Sequence, residues 1–449
     1  MTLTNIISAI GNNSSIYPLL VRDCCIEAPS KILIARKENM KESKEVANDA
    51  TREKFIDEYF TSAIWLGGIP ATEYIADKFI RKKGYNPGVN LKLFKSEGVN
   101  KQNGKVVQSN EILQGIEYNI KKFSQFKQKD VQEAIADLIK VRDNKAVFEG
   151  LLTKKFCAAT IIPTVIMGFV LPPLNFALTR KIRERKAAKK AAQQAPINTA
   201  RLQNTPFQRA TMSSFTGDKV AFTGSLTSTI ANLRTVDKMA ISDGGLTVGR
   251  VTTSRNKEEG YVNAFRMIGS MILNFVTPVY IAKGLDKAAN KLFKVNVNLD
   301  PLILSDKNFI DAIKNNNIEL PKSNNPKDLL EFVDSNPKSL FSKFAQQSGK
   351  ISYLESGIRD PRKFVDFDEL AKFKKEFETF VESAKNSKNI EKFAKKAKRV
   401  KCGNILANVA ISSFLLAGVL PKAQYMFNKI ITGSYMDPGL APKKDWFFQ

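Results

Sequence analysis

The side chains that could do chemistry in this chain are acids, lysines, arginines and four cysteines, because its 449 residues include no histidine. The commonest general base and the usual zinc ligand are therefore missing, and a Ser-His-Asp or Cys-His site is excluded. Lysine, aspartate and glutamate could still transfer protons. The composition argues against an enzyme, and we expect no catalytic residue, no cofactor and no metal.

Two further groups of residues could form a site. Glu73 and Asp77 follow an apolar stretch, where acids are candidates for function if the stretch lies in a membrane. Lys78 and Arg81 stand beside them, so the spacing favours ion pairs at a helix end. The glycine-rich segment 243–250 lacks the dinucleotide-binding spacing and predicts a turn.

Four apolar stretches would position any such site, and each contains a proline. Phe156 to Thr179 is 24 residues without a charge, and Cys402 to Pro421 is 20. At about 1.5 Å per helical residue, both approach or exceed the roughly 30 Å hydrocarbon core of a bilayer. We expect both to cross a membrane, with basic residues at their ends.

The other two stretches are shorter. Met267 to Ala282 has 16 uncharged residues and Tyr59 to Thr72 has 14. They could span with flanking bases snorkelling to the surface, or be buried or interfacial helices. Together the pattern predicts apolar helices at about residues 58–80, 156–179, 261–283 and 402–428.

The prolines and nearby glycines predict helix kinks and close helix packing. A proline inside a helix removes one hydrogen bond and clashes with the preceding turn, and glycine lets two helices approach. The predicted kink and packing residues are Gly67, Gly68, Pro70, Gly168, Pro172, Pro278, Gly418 and Pro421. Alternatively, each proline ends a helix at a membrane face or lies in a re-entrant hairpin.

The stretches form two matching pairs. Pro172 and Pro421 both have an aromatic residue four positions later and a base eight positions later. Upstream, Asp23 stands six residues before Pro29, and Asp243 stands six before Gly249. We predict two tandem pseudo-repeats of two proline-kinked apolar helices each, in the same orientation, with an axis along the membrane normal.

This duplication gives the predicted domain organisation. The fold class is mainly α, a helical membrane protein with helical polar inserts. The predicted units are a first half (1–180) with a polar insert (81–155), a basic and then Ser/Thr/Gly-rich linker (181–242), a second half (243–434) with an insert (295–400), and a tail (435–449).

The charge balance favours anionic partners. Seventy basic against 44 acidic residues give a net charge of +26, although lysine-rich faces could simply be solvated. Basic runs beside membrane helices attract anionic lipid headgroups by about 1 kcal/mol per charge. The predicted lipid contacts are Arg180, Lys181, Arg183, Arg185, Lys186, Lys189, Lys190, Lys395, Lys396, Lys398, Arg399 and Lys401. Nucleic acid is less favoured as a partner, because these runs lack the aromatic residues of a stacking platform.

Three short segments carry a resemblance. They are Ser15-Ile16-Tyr17-Pro18-Leu19-Leu20-Val21-Arg22-Asp23, then Asp57-Glu58-Tyr59 with Trp65-Leu66-Gly67-Gly68-Ile69-Pro70, and Gly249-Arg250 with Ser254-Arg255-Asn256. These segments, about a tenth of the chain, resemble uncharacterised predicted membrane proteins of gut bacteria. The resemblance implies a bacterial membrane location and no particular activity.

The sequence thus predicts a non-enzymatic integral protein of the bacterial inner membrane. It would scaffold or shape the membrane, or form a small helical pore, and a homo-oligomer is compatible with either. The alternative is a cytoplasmic, peripheral basic protein with a soluble helical bundle that binds anionic lipid or nucleic acid. A transporter is the third interpretation, disfavoured because the two longest apolar stretches contain no ionisable residue.

Overall fold

Helices form most of the chain in the computed structural model, which describes residues 2–12, 15–97, 101–102, 105–106, 112–194, 233–295 and 297–440. In chain order the helices are α1 (Leu3–Gly11), α2 (17–39), α3 (44–82), α4 (Ile116–Phe123), α5 (Lys129–Asp143), α6 (145–194), α7 (Thr235–Thr252), α8 (257–293), α9 (Lys307–Lys314), α10 (Pro326–Ser335), α11 (Leu340–Gln347), α12 (Phe367–Lys385) and α13 (390–432). Two two-residue strands, Lys101–Gln102 and Lys105–Val106, pair antiparallel. Short 3-10 turns occur at Leu91–Glu97, Ile112–Gln114, Ile303–Ser305 and Pro438–Leu440.

Five of the long helices contain a π-helical segment that ends two residues before a proline. The π segments are Val21–Glu27 in α2, Ile64–Gly68 in α3, Ile166–Val170 in α6, Ile272–Val276 in α8 and Leu415–Val419 in α13, and the prolines are Pro29, Pro70, Pro172, Pro278 and Pro421. Proline lacks an N–H and collides with the carbonyl one turn earlier, and a wider π turn relieves both problems. Each helix therefore continues past its proline.

Each π segment has an α-helical part on either side. These parts are Tyr17–Leu20 and Ala28–Asn39 in α2, Lys44–Ala63 and Ile69–Lys82 in α3, Lys145–Val165 and Leu171–Gln194 in α6, Lys257–Met271 and Thr277–Phe293 in α8, and Ile390–Phe414 and Leu420–Thr432 in α13. Pro29 had not been singled out from the sequence as a helix-interior proline. Its π segment places α2 in the same structural class as the four predicted apolar helices.

Six helices pack in a closed ring, in the order α2, α3, α6, α7, α8, α13 and back to α2. Residue contacts fix their directions. Helices α3 and α6 are antiparallel, since Asp77 bonds Lys155 and Asp49 bonds Arg183. Helices α6 and α7 are parallel, since Thr164 contacts Ser242 and Gly168 contacts Gly249.

The bundle has two distinct ends. The described residues of two inserts, 83–144 and 294–389, lie at one end and pack on each other. We call this the insert end. Gln114 exchanges hydrogen bonds of 2.6 and 2.8 Å with the backbone of Val365. At the other end, the tail end, residues 433–440 contact α2 and α8, for example through the Asn256 side chain on the Pro438 carbonyl at 2.9 Å.

The second insert has a phenylalanine-rich core. In the sequence, apolar residues that include Phe373, Phe377 and Phe380 recur at helical spacing along 370–384, which predicts an amphipathic helix with one buried face. The structure buries this phenylalanine stripe on α12, where Phe377 and Phe380 pack against Phe309.

In the sequence, Asn325 before Pro326 and Asn336 before Pro337 each predict the start of a helix, with asparagine as the cap. Asn325 caps α10 as predicted. The prediction at Asn336 is wrong, because α11 begins at Leu340 with Ser339 as its cap.

Three helices in the described part of the chain are long and apolar enough to cross a membrane: Lys145–Ala191, Lys257–Phe293 and Ile390–Thr432. They belong to α6, α8 and α13. The fourth predicted stretch, Tyr59 to Thr72, lies in α3, which is not among them. The residues of α3 before Tyr59 include Asp49, Glu53, Asp57 and Glu58, which belong to the candidate site.

The turn predicted at 243–250 is wrong. These residues lie inside α7, which begins at Thr235. Glycine is a poor helix former, but here it allows close contact between helices. A Cβ placed on Gly249 would lie 2.7 Å from the Cα of Gly168 in α6.

Candidate functional site: a charged bundle interior

Helix α2 places a line of charged residues towards the centre of the bundle. Asp23, Glu27 and Lys31 follow one another at four-residue spacing, which puts them on one helix face. Glu27 and Lys31 are buried and form an ion pair. Lys31 also contacts Glu58 of α3 at 3.2 Å, so the first two ring helices share one charge network.

Helix α3 contributes two adjacent acids to this network. Arg250 of α7 holds Asp57 with two contacts of 2.6 and 2.9 Å, and donates to Thr61 at 2.7 Å. Arg266 of α8 lies 3.5 Å from both Asp57 and Glu58. Arg250 and Arg266 are each 5% exposed, so these ion pairs are buried. The helices α2, α3, α7 and α8 therefore meet in one buried charge network. Removing one partner of such a pair typically destabilises a protein by about 3–5 kcal/mol.

A second group of charges continues the network towards the tail end. Arg255, just after α7, bonds Glu53 at 3.1 Å and Glu259 at 2.8 Å. Fully buried Asp49 bonds Arg183 of α6 at 2.7 Å. Acids on α3 therefore recur as 49, 53 and 57, one helical turn apart, and each finds a base on another segment.

Three small cavities lie along this interior. A central cavity of about 60 Å³ is lined by Asp23, Glu27, Glu58, Asp243 and neighbouring bases. A tail-end cavity of about 80 Å³ shares Arg250 and Arg266 with it. An insert-end cavity of about 90 Å³ is lined by Arg22, next to Asp23 in sequence, and by the Asp286–Lys401 pair. Such volumes hold a few waters or a small ion, and are below those of most organic-ligand sites.

Several interior polar atoms have no hydrogen-bond partner within the described residues. They include Glu27 Oε2, Asn274 Oδ1, Arg250 Nε, Arg266 Nε and Arg22 Nη1. Glu27, Asn274 and the first two arginines line the central cavity. Buried polar atoms normally bond to water or another group. The cavity can therefore hold a hydrated species that uses both donors and acceptors.

The outer surface of the ring is apolar at the same height along the bundle as the charged interior. Large exposed side chains include Ile161, Phe169 and Leu174 on α6, Ile268, Ile272 and Tyr280 on α8, and Leu406, Phe414 and Met426 on α13. Charges inside and apolar side chains outside reverse the usual arrangement of a protein in water.

Only some of the glycines predicted to pack helices together contact another helix in the structure. Gly168 meets Gly249 at the crossing of α6 and α7. A Cβ on Gly67 would meet open space, and one on Gly68 or Gly418 would meet only its own helix. Other glycines make close contacts that were not predicted: Gly245 faces Thr164, and Gly269 faces Leu420.

The predicted acids Glu73 and Asp77 have partners other than those expected. Glu73 pairs with Lys238 of α7 and accepts from Thr235 at 3.1 Å. Asp77 pairs with Lys155 of α6 at 2.6 Å. The expected local pairs with Lys78 and Arg81 are wrong, and these acids instead join helices at the insert end.

The two predicted lipid-binding clusters lie at opposite ends of the bundle. The cluster Arg180 to Lys190 is on α6 at the tail end, where Lys190 contacts Glu45 at 3.3 Å. The cluster Lys395 to Lys401 is on α13 at the insert end, where Lys396 donates to the Phe293 carbonyl at 2.9 Å. The apolar outer surface lies between them.

No protein-family profile, curated protein or solved structure matches this chain. Within the described residues, no group of three or more cysteine, aspartate or glutamate side chains is arranged to hold a metal ion. The site therefore has to be interpreted from its own geometry.

The charged interior is the part of the site that the sequence analysis missed. The third interpretation, a transporter, was disfavoured because the two longest apolar stretches lack ionisable residues. The charges come instead from α2, α3, α7 and α8. The four-residue spacing of Asp23, Glu27 and Lys31, and of Asp49, Glu53 and Asp57, was a signal for one charged face on each helix.

Proposed function

We propose that this chain is an integral membrane protein whose six-helix ring conducts small ions through its charged interior. One observation carries this proposal: buried ion pairs such as Asp57–Arg250 lie inside a ring with an apolar outer surface. In water, this arrangement would expose apolar side chains and bury charges. In lipid, apolar side chains face the solvent, and ionisable residues inside a bundle mark ion or substrate pathways.

The size and chemistry of the interior support small ions over other cargo. The cavities of about 60 to 90 Å³ are too small for most organic molecules. They follow one another along the bundle from Arg22 through Glu27 to Arg255, and we propose that together they form a polar route. Of the functions expected from the sequence, a small pore or a transporter uses this route, whereas a scaffold does not need it.

We also propose a tandem repeat with three ring helices in each half. We infer that α2, α3 and α6 correspond to α7, α8 and α13. Three residues after Pro172 and Pro421 stand Asn175 and Gln424, and both are buried. The antiparallel pair Asp77–Lys155 in the first half corresponds to Asp286–Lys401, at 2.7 Å, in the second.

The repeat also places the prolines at corresponding positions in the two halves. We propose that the helices bend at the π segments before their prolines, as helices commonly do at such features. We also propose that the two basic clusters contact anionic headgroups on opposite membrane faces. The bacterial inner membrane is proposed as the location from the resemblance described above.

The proposal is tested in two steps with the full-length protein. Alkaline carbonate should leave it in the membrane pellet, and release into the supernatant would contradict integration. Purified protein in phosphatidylcholine–phosphatidylglycerol liposomes should then dissipate an imposed proton or potassium gradient, read by a pH-sensitive or potassium-sensitive dye.

Matched variants separate conduction through the interior from leakage. Glu27→Gln changes an acid that lines the central cavity, whereas Glu258→Gln changes an exposed acid on α8. We expect the first to change the flux at least several-fold and the second to leave it unchanged. Membrane insertion without flux, or equal flux for both variants, would refute ion conduction while leaving membrane integration intact.

A further inference from the structure

A cavity larger than the three in the bundle lies outside the ring, between the two inserts. It has a volume of about 350 Å³, within the range of small-molecule sites. Phe123 and Phe126 of the first insert form one wall. Asp334, Tyr353 and Arg359 of the second insert form another. Sites at the junction of two packed units are common for small ligands.

Arg359 is the distinctive residue of this cavity. Its Nε donates to Asp334 Oδ1 at 2.7 Å, and its guanidinium lies over the Phe123 ring, 5.1 Å from the centroid. The side chain is 1% exposed, yet Nη1 and Nη2 have no hydrogen-bond partner within the described residues. A buried charged group with two unsatisfied donors is unfavourable unless another group accepts from them.

The charge around Arg359 is positive. Asp334 is the one acid among the residues that line the cavity, and it also accepts from Lys122 at 2.6 Å. Lys338 adds a further cation, exposed at the rim. Three cations against one carboxylate leave the cavity suited to an anion. The planar fork of arginine is the donor arrangement that carboxylate and phosphate groups match best.

We propose that this cavity binds a small organic anion. Its carboxylate or phosphate group accepts from both Nη atoms of Arg359, and its apolar body lies against Phe123, Phe126, Leu354 and Ile358. The inference does not depend on ion conduction, because the inserts are outside the ring and no interior residue of the bundle lines this cavity.

The experiment measures binding of benzoate and phenyl phosphate to the full-length purified protein, by titration calorimetry and by the shift of the melting temperature. Benzylamine and benzyl alcohol serve as cationic and neutral probes of the same size. We expect one or both anions to bind and to raise the melting temperature, with the tighter one identifying a carboxylate or a phosphate ligand. The amine and the alcohol should have no effect.

Three variants locate the binding. Arg359→Lys keeps the charge but loses the fork, and should weaken binding about tenfold or more. Lys338→Ala should weaken binding about two- to fivefold. Lys375→Ala removes an exposed lysine of α12 that does not line the cavity, and should change nothing.

If Arg359→Lys does not fold, the comparison of Lys338→Ala with Lys375→Ala still tests the site. Equal affinities for Lys338→Ala and Lys375→Ala would overturn the site. Absence of binding by both anions at millimolar concentration, or equal binding of benzylamine and benzoate, would overturn it too.

Discussion

Glu58 and Arg266 stand at the same distance from their prolines, twelve residues before Pro70 and Pro278, and their side chains lie 3.5 Å apart in the centre of the ring. If the halves are repeats, these two positions correspond, and one carries an acid where the other carries a base. The centre of the bundle is then symmetric in backbone but complementary in charge. Such complementarity allows a buried network that two identical acids or two identical bases would disrupt.

The Asp57–Arg250 pair should dominate the stability of the interior. Arg250→Leu leaves Asp57 with only the more distant Arg266, and we expect it to lower the free energy of unfolding by about 3–5 kcal/mol. The double variant Arg250→Leu/Asp57→Leu should recover part of this loss, because no carboxylate is then left without its close partner. Denaturant unfolding in detergent measures both.

A surface arginine provides the control. Arg142 contacts Asp143 and Glu117, and all three side chains are substantially exposed. Arg142→Leu should therefore change stability by less than about 1 kcal/mol. If Arg142→Leu lowered the free energy of unfolding as much as Arg250→Leu, the interior pair would contribute no more to stability than a surface pair.

The crossing of α6 and α7 should depend on glycine at one position of α7 and not at another. Gly249→Ala places a methyl group 2.7 Å from the Cα of Gly168, and we expect a loss of about 1–3 kcal/mol. Gly244→Ala lies in the same helix with nothing within 4 Å, and should stabilise by up to about 1 kcal/mol through helix propensity. Thermal unfolding distinguishes them, and equal effects would contradict the close crossing.

The two ends of α6 should lie on opposite sides of the membrane. Lys145→Cys is at the insert end and Lys189→Cys is at the tail end, in a background without the four native cysteines. In sealed vesicles, a membrane-impermeant maleimide should label one position and not the other. Labelling of both from one side would be inconsistent with α6 crossing the bilayer.

The inserts should lose stability at high pH partly through Tyr353. Burial raises the pKa of Tyr353 to about 12, and its hydroxyl donates to the Val333 carbonyl at 2.7 Å. An unfolded tyrosine ionises near pH 10, so the neutral side chain favours the folded state, and this contribution is lost as pH rises from about 10 to about 12. Urea unfolding between pH 9 and 11 should show a smaller decline for Tyr353→Phe than for the wild type. Parallel curves would contradict this assignment.

The sequence was most informative about features that depend on the residues of a single helix. The phenylalanine stripe of α12 was recognisable from its period, since a helix with large apolar residues on one face must bury that face. The apolar lengths of α6, α8 and α13 likewise follow from composition alone. Asn325 before Pro326 marked the start of α10 through local capping chemistry.

Features that depend on several helices were not predictable in this way. The charged faces of α2 and α3 could have pointed to water, and only their neighbours Arg250 and Arg266 show that they point inward. The glycines of α7 suggested a turn, because the contact with Gly168 joins two distant segments and cannot be recognised from the local sequence. The cavity around Arg359 is lined by residues that are far apart in the sequence, such as Phe123 and Arg359, which are 236 positions apart and which no local pattern relates.

The closing contacts of the ring have a consequence for how the chain could be divided. Helix α7 is seated against α6, and α2 against α13, so each half completes the other. A chain cut between Gln194 and Leu233 would yield two fragments, and each fragment would lack a helix neighbour that the other supplies.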